Sequence, residues 1–353
     1  MANPFSRMKT IYTAQELLDI AFKRVSNLQM RFRPNTPDII KAKKREKARI
    51  TQVTNILIKK LTEMVKTFPN FDRIHPFYYD LTSTLVDLDN FKQIIASLSG
   101  TIRILKRVHR EHFYKIKKAE NSKVAGEERK AFYGRVSSII NRLGDKLAYL
   151  REQRNVLRKL PTIIPDIFTI VVAGYPNVGK SSLVRAISSA KPEISYYPFT
   201  TRTLIVGHRI LNEDDPIPQK IQILDTPGLL DRPLSARNKI ERQAIVALRH
   251  LANVIVFMID PSESCGYLVT NQLGLLREIS TIFQNIPLIL NLNKVDLARP
   301  EQIQQVKREI KTIFPEDDKI VLETIAIQKQ GVNEVLEAAL EYFDEFKNEN
   351  PNL

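Results

Sequence analysis

Thiols are almost absent from this chain: of 353 residues only Cys265 is a cysteine, and there is no tryptophan. A single cysteine excludes an internal disulfide framework and suits a reducing cytosol. No apolar run reaches the ~18 residues that a membrane-spanning helix needs. The opening MANPFSRMKT lacks the apolar core of a secretory signal, and the closing Asn350-Pro-Asn-Leu353 carries no lipidation motif. A cytoplasmic protein with no membrane partner is therefore expected. Histidine is scarce. His109 and His112 stand one helical turn apart without a third ligand, the pattern of a solvated helix face rather than a zinc site. Proline is missing from Phe77 to Leu160, so nothing there forces a helix to break. Acidic residues are short in the same half: residues 1–160 hold 34 Lys and Arg against 15 Asp and Glu, a charge of +19, whereas 161–353 hold 20 against 24, a charge of −4. That asymmetry predicts an attachment domain for a polyanion joined to a separate module.

What is present organises into two halves. Three stretches of the first show 3.6-residue apolar spacing. They are Ile50, Val53, Leu57, Leu61, Met64; Phe91, Ile95, Leu98, Ile102, Leu105; and Val136, Ile140, Leu143, Leu147, Leu150. These predict core faces of a helical bundle over 1–160. Thr13 with Glu16, and Thr36 with Pro37 as the first helical residue, mark helix starts. Asn121 to Gly126 is expected to link two helices, and Phe113 and Tyr114 are expected in the core. Pro161 and Pro165 bracket a linker, 161–165. Beyond it, apolar runs at Phe168–Ala173, Val254–Ile259 and Leu288–Leu292 alternate with helical segments over 166–346, before a short tail, 347–353. The fold class expected is α followed by α/β: a helical bundle, then a mostly parallel six-stranded sheet with helices on both faces.

The second half carries the chemistry. The run Phe168–Ala173 enters Gly174-Tyr175-Pro176-Asn177-Val178-Gly179-Lys180-Ser181, followed by Ser182. This is the full spacing of a phosphate-binding P-loop between a strand and a helix. In that motif the backbone wraps the phosphates, the lysine reaches the β and γ phosphates, and the Ser181 hydroxyl ligates Mg²⁺. Asp225-Thr-Pro-Gly228 follows at the end of an apolar run, Ile221–Leu224. A carboxylate there serves the metal, and the Gly228 N–H meets the γ-phosphate. Asn293-Lys294-Val-Asp296 selects the base. Asp296 accepts from guanine N1–H and N2 amine, Asn293 braces the loop, and the Lys294 stem covers the ring. Within Tyr197-Pro-Phe-Thr200-Thr201-Arg202, Thr201 is preferred over Thr200 as a Mg²⁺ ligand that senses the γ-phosphate. Lys180, Thr201 and Gly228 thus form the candidate catalytic set, with Ser181, Thr201 and Asp225 on Mg²⁺. Ala326, after the last strand, is the candidate backbone contact to guanine O6. Leu229 stands where many small GTPases place a water-orienting glutamine, so hydrolysis is expected to be slow without a partner. These motifs imply a GTPase domain using GTP, GDP and Mg²⁺. In the first half, the tract Lys41-Ala-Lys-Lys44-Arg45-Glu-Lys47-Ala-Arg49 predicts contact with RNA phosphates.

GYPNVGKSS (174–182), YPFTTR (197–202), DTPGLLDRP (225–233), SESCG (262–266), FPNFDRIHPFYYDL (68–81) and LAYLREQRNVLRKLP (147–161) together resemble the nucleolar-type GTP-binding proteins of ribosome assembly, relatives of the Obg GTPases. The chain is similar to the shorter, archaeal-like form of that family. The resemblance implies a helical domain docked on large-subunit rRNA, not DNA, and a GTPase domain acting as a maturation switch on a pre-ribosomal particle. It implies a nucleolar location if the source is eukaryotic. Asn177 stands where related GTPases hold K⁺ against the phosphates, so K⁺ is a candidate cofactor there. The competing expectation is a GTP-stabilised RNA scaffold that hardly turns over.

Overall fold

Why the second half forms a sheet is visible in its strands. The computed structural model describes residues 3–189, 191–196, 203–211, 219–315 and 321–349. Within them lie β1 (Thr169–Ala173), β2 (Glu193–Tyr196), β3 (Thr203–Leu211), β4 (Gln219–Asp225), β5 (Val254–Ile259), β6 (Leu288–Asn293) and β7 (Val321–Thr324). Every residue of β1 and β5 is buried, as in strands covered on both faces. The order is β2-β3-β4-β1-β5-β6-β7, seven strands rather than the six expected. From β4 to β7 neighbours are parallel, and β2 and β3 add an antiparallel edge. The extra strand, β2, is four residues long, and its Glu193 and Ile194 are both exposed, so neither marks a buried face. Helices α7 (Lys180–Ile187), α8 (Lys239–Leu248), α9 (Val269–Ile282), α10 (Pro300–Ile313) and α11 (Val332–Glu349) alternate with the strands. Helix α11 runs three residues past the expected domain end at 346.

The first half is α1 (Ala14–Ser26), α2 (Asp38–Val65), α3 (Pro76–Leu85), α4 (Leu88–Lys118), α5 (Ser122–Asn141) and α6 (Gly144–Leu157). Helix α1 starts as expected, with Thr13 and Glu16 in a reciprocal capping box. Helix α2 does not: Pro37 is itself the cap and Thr36 turns its hydroxyl back to the Arg33 carbonyl. Gly126 lies inside α5, and the link between helices is Ala119–Asn121, with Asn121 capping Val124 N–H. The expected α2 stripe is fully buried. On α4 the buried set is Phe91, Ile94, Leu98, Thr101, Leu105, Val108, His112 and Ile116, so Ile95 and Ile102 lie on the flank. His112 is therefore not on a solvated face. It is buried and hydrogen-bonded through Nδ1 to Glu128 at 3.1 Å, while His109 meets Thr51. Phe113 and Tyr114 are exposed instead of buried.

The chain separates into two compact units. One is Phe5–Phe71 with Leu85–Arg158; the other is Met1–Pro4, Asp72–Thr84 and Lys159–Leu353. The segment holding α3 thus groups with the sheet. Its Tyr78 hydroxyl donates to the carbonyls of Pro161 and Ile163 at 2.9 and 2.8 Å and accepts from Ile163 N–H at 3.1 Å.

Candidate functional site

The turn from β1 into α7 is built on backbone angles that side chains resist. Gly174 has φ +135°, Asn177 +62° and Gly179 +107°. A Cβ on Gly174 would stand 2.5 Å from the Met258 carbonyl oxygen of β5, so only glycine fits. The loop ends on Lys180, the first residue of α7, which is 6% exposed. Its ammonium donates to the carbonyls of Gly174 and Tyr175, both at 2.8 Å, strapping the loop into a ring. Backbone amides and the positive end of α7 then face the space beyond, as an anion requires.

Register sets the second element. Val172 of β1 pairs with Asp225 at the end of β4, which brings that carboxylate beside the loop. The Ser181 hydroxyl donates to Asp225 Oδ2. Burial raises the Asp225 carboxyl above its ordinary range, against the pull of the Ser181 bond and the Lys180 charge. Asp225 Oδ1 is buried with no hydrogen-bond partner among the described residues. An under-satisfied carboxylate oxygen next to a hydroxyl is a hard-oxygen pair of the kind that suits Mg²⁺.

Past Asp225 the chain turns back onto the loop. Thr226 donates to Val172 O, and Leu230 O accepts from Gly174 N–H. Leu229 and Leu230 are buried. The Gly228 N–H, expected to serve a phosphate, donates to Asp231 Oδ2 at 2.7 Å. Arg237, its side chain fully buried, donates to Gly228 O at 2.7 Å and to Arg232 O at 3.0 Å, and pairs with Asp231 at 3.4 Å. Asp231 and Arg237 were not picked out as site residues, because nothing in an Asp-Arg pair six positions apart announces a buried bond across a turn.

The base-side loop is tied to the phosphate side. Asn293 Nδ2 donates to Val178 O at 2.8 Å, and its Oδ1 accepts from Thr324 Oγ1 and from Ala326 N–H. Asn293 thus braces three segments, and the Ala326 amide, expected to meet guanine O6, is committed to it. Lys294, at φ +61°, donates to Asp260 Oδ2 at 2.9 Å and Ser264 Oγ at 3.0 Å. Burial would raise the Asp260 carboxyl, but bonds from Ser262, Lys294 and Ser264 outweigh it and hold the group below its ordinary value. Asp260 and Ser264, the latter within the SESCG motif, were likewise not picked out as site residues. Between the two loops lies a cleft of about 530 Å³. Pro176, Asn177, Gly179, Lys180, Ser181 and Ser182 line one end with Asp225, and Asn293, Lys294, Asp296 and Ala326 the other. Gly174, Tyr175, Val178 and Gly228 are not among the lining residues; Gly174, Tyr175 and Val178 form the loop behind. Thr201 and Thr200 lie outside the described residues.

In the helical unit the basic tract is more engaged than its composition implies. Glu46 is buried and takes Arg49 at 3.0 Å and Arg129 at 2.7 Å. Lys41 pairs with Asp38, Arg45 lies over the Phe32 ring and Lys47 over Phe113. Lys44 is exposed.

The chain is similar to known proteins in both halves. The family description "NOG1 N-terminal helical domain" matches residues 5–163, and "Nucleolar GTP-binding protein 1 (NOG1)" matches 239–296. An uncharacterized protein of Methanocaldococcus jannaschii is 38% identical over 304 residues, 86% of this chain and 84% of its own. Nucleolar GTP-binding protein 1 of Drosophila melanogaster is 38% identical over 80% of this chain and 43% of its length. That of Saccharomyces cerevisiae is 31% identical over 94% and 51%. The chain belongs to the nucleolar GTP-binding protein 1 family. It spans about half the length of the eukaryotic members it matches and most of the archaeal relative. The family's N-terminal match ends at Ile163, the residue that Tyr78 holds.

Proposed function

We infer that this family member binds GTP with Mg²⁺ in the cleft, hydrolyses it to GDP and phosphate, and works as a switch in assembly of the large ribosomal subunit. In this reading the helical half, residues 1–160, holds rRNA and 166–346 is the GTPase. The observation that carries the nucleotide assignment is the Asn293–Val178 bond, which sets a base-reading carboxylate, Asp296, and a phosphate loop at opposite ends of one cleft. Lys180 holds charge against the phosphates, the first turn of α7 supplies N–H donors, and Ser181 and Asp225 would hold the metal. Bound Mg²⁺ neutralises charge developing between the β and γ phosphates. Asp296 selects guanine because only guanine offers it two adjacent donors. Asp296→Asn should weaken GTP binding by roughly 100-fold and improve binding of xanthosine triphosphate, because the donor pattern is reversed. Equal wild-type affinity for ATP and GTP, by calorimetry, would refute the assignment.

A second reading, a GTP-stabilised RNA scaffold with negligible turnover, is favoured by Leu229, whose buried side chain cannot orient water. Single-turnover hydrolysis with and without large-subunit particles separates the two. Asn177, exposed at the cleft, is the proposed K⁺ residue. A faster wild-type rate in KCl than in NaCl, lost in Asn177→Ala, is the expected result; a rate indifferent to the cation removes K⁺. The proposed compartment is the cytoplasm, or the nucleolus in a eukaryote.

A further inference from the structure

Helix α4 carries no acid between Asp89 and Glu111, yet that stretch holds five cations, four of them from Arg103 to Arg110. At 100° per residue, Arg103, Arg107, Arg110, Tyr114 and Lys118 fall on one stripe. All five are exposed, opposite the buried Leu105, Val108 and His112. Tyr114 is 54% exposed, with the Lys118 ammonium 4.7 Å over its ring. Beside the stripe, α4, α5 and α6 enclose a groove of about 410 Å³. Arg107, Arg135, Arg142 and Lys146 stand around it, and no carboxylate is among its lining residues. Ser97 and Ser138 bring hydroxyls, and Ile104 and Ile139 an apolar floor.

These cations differ from those of the Lys41–Arg49 tract, several of which are spent inside the unit. Arg135 pairs with Glu111 at 2.8 Å and Lys146 donates to Ser97 Oγ at 2.7 Å. Arg107 and Arg142 form no ion pair with any described residue. Arg107, Arg142 and Lys146, the three without an ion pair among the described residues, repel one another round the depression, and a chain of phosphates relieves that repulsion while releasing its own counterions. The apolar floor and the exposed Tyr114 ring, whose one face carries the Lys118 ammonium, offer surfaces to a ribose and a base, which a duplex keeps hidden. The hydroxyls of Ser97 and Ser138 can meet a ribose 2′-OH.

We propose that the α4–α5–α6 groove seats an unpaired RNA segment, with phosphates on Arg107, Arg142 and Lys146 and an adjoining base on Tyr114. This deepens, and rests on, the reading that the helical half holds large-subunit rRNA. The test uses the full chain and deproteinised large-subunit rRNA in filter binding. The triple variant Arg107→Glu, Arg142→Glu, Lys146→Glu should lose about 100-fold in affinity near ~0.15 M KCl. It should also flatten the dependence of log affinity on log salt by about 2, since each single-strand phosphate contact contributes about 0.7. Tyr114→Ala should lose affinity with the salt slope unchanged. A 20-nucleotide single-stranded RNA should compete better than a 20-base-pair duplex of similar size, because only the single strand exposes its bases (both probe lengths are about the ~16 base pairs a typical double-strand-binding domain spans). If the wild type binds no rRNA, the underlying reading falls and the groove with it. If the wild type binds and the folded triple variant binds equally well, the groove alone is wrong. Should the triple variant not fold, amine acylation of the wild type decides: rRNA should protect Lys146 several-fold more than the exposed Lys23, and equal reactivity overturns the proposal.

Discussion

On the proposed function, two acceptors compete for the Gly228 N–H. The structure gives it to Asp231 at 2.7 Å, whereas a GTPase cycle needs it at the γ-phosphate. Arg237 holds both sides of that choice, since it donates to Gly228 O and pairs with Asp231. Both side chains are buried, so the pair has no water to fall back on. Removing the cation leaves the buried Asp231 charge without its ion pair, a loss of roughly 3 kcal/mol for such pairs. Arg237→Ala should therefore lower the unfolding free energy by an amount of that order, read as a lower urea midpoint at unchanged slope. It should also weaken GTP more than GDP, because only GTP carries the phosphate that Gly228 would serve. A variant within about 0.5 kcal/mol of wild type would show that the pair does not hold the segment.

The element that holds the base-side loop is the turn after β5. Asp260, fully buried, accepts from Ser262, Ser264, Cys265 N–H and Lys294, so the β5 turn and the base loop after β6 share one carboxylate. Its pKa lies below the ordinary 3.8 because those bonds outweigh burial. A depressed folded value means the stabilisation is present above the unfolded pKa and is lost as pH falls through the folded one. Asp260→Asn should cost about 2 kcal/mol at neutral pH, the worth of hydrogen bonds to a charged group. The gap in thermal midpoint between variant and wild type should close as pH drops below about 4. A gap independent of pH would mean the charge contributes nothing. This turn also marks the limit of what the sequence discloses. The strands β1, β5 and β6 were legible as apolar, β-rich runs, and the P-loop, Asp225 and Asn293–Asp296 as fixed spacings. Asp260 was not, because its lysine partner is 34 residues away and meets it only through the β5–β6 pairing. Two members of the α4 stripe, Ile95 and Ile102, were misplaced by one position, because Ile94 and Ile95 fit a helical period equally well until packing chooses. Phe113 and Tyr114 were misassigned because an aromatic on a helix reads as core unless its neighbours' charges are placed in space.

At the scale of the molecule, chain order and compact units disagree. The helical unit is interrupted: the chain leaves it at Phe71, forms α3, and returns at Leu85. Tyr78 of α3 bonds to Pro161 and Ile163, so residues early in the sequence belong to the unit that holds the cleft. Each unit has its own core, one of helix stripes and one of buried strands. If the two melt separately, one transition answers to nucleotide and the other does not. A ligand at 100 times its Kd stabilises by about 2.7 kcal/mol the part that binds it. Tyr78→Phe removes a hydroxyl that serves three buried backbone groups, a loss of about 2 kcal/mol when partners stay unsatisfied. It should lower the nucleotide-sensitive transition in calorimetry, although residue 78 lies deep in the sequence of the helical half. By the same logic a fragment ending at Leu160 leaves Tyr78 without Pro161 and Ile163, and one ending at Pro165 restores them. The longer fragment should be the more protease-resistant at α3. If Tyr78→Phe instead lowers only the nucleotide-insensitive transition, α3 belongs energetically to the helical unit and the division between units lies at residue 158 alone.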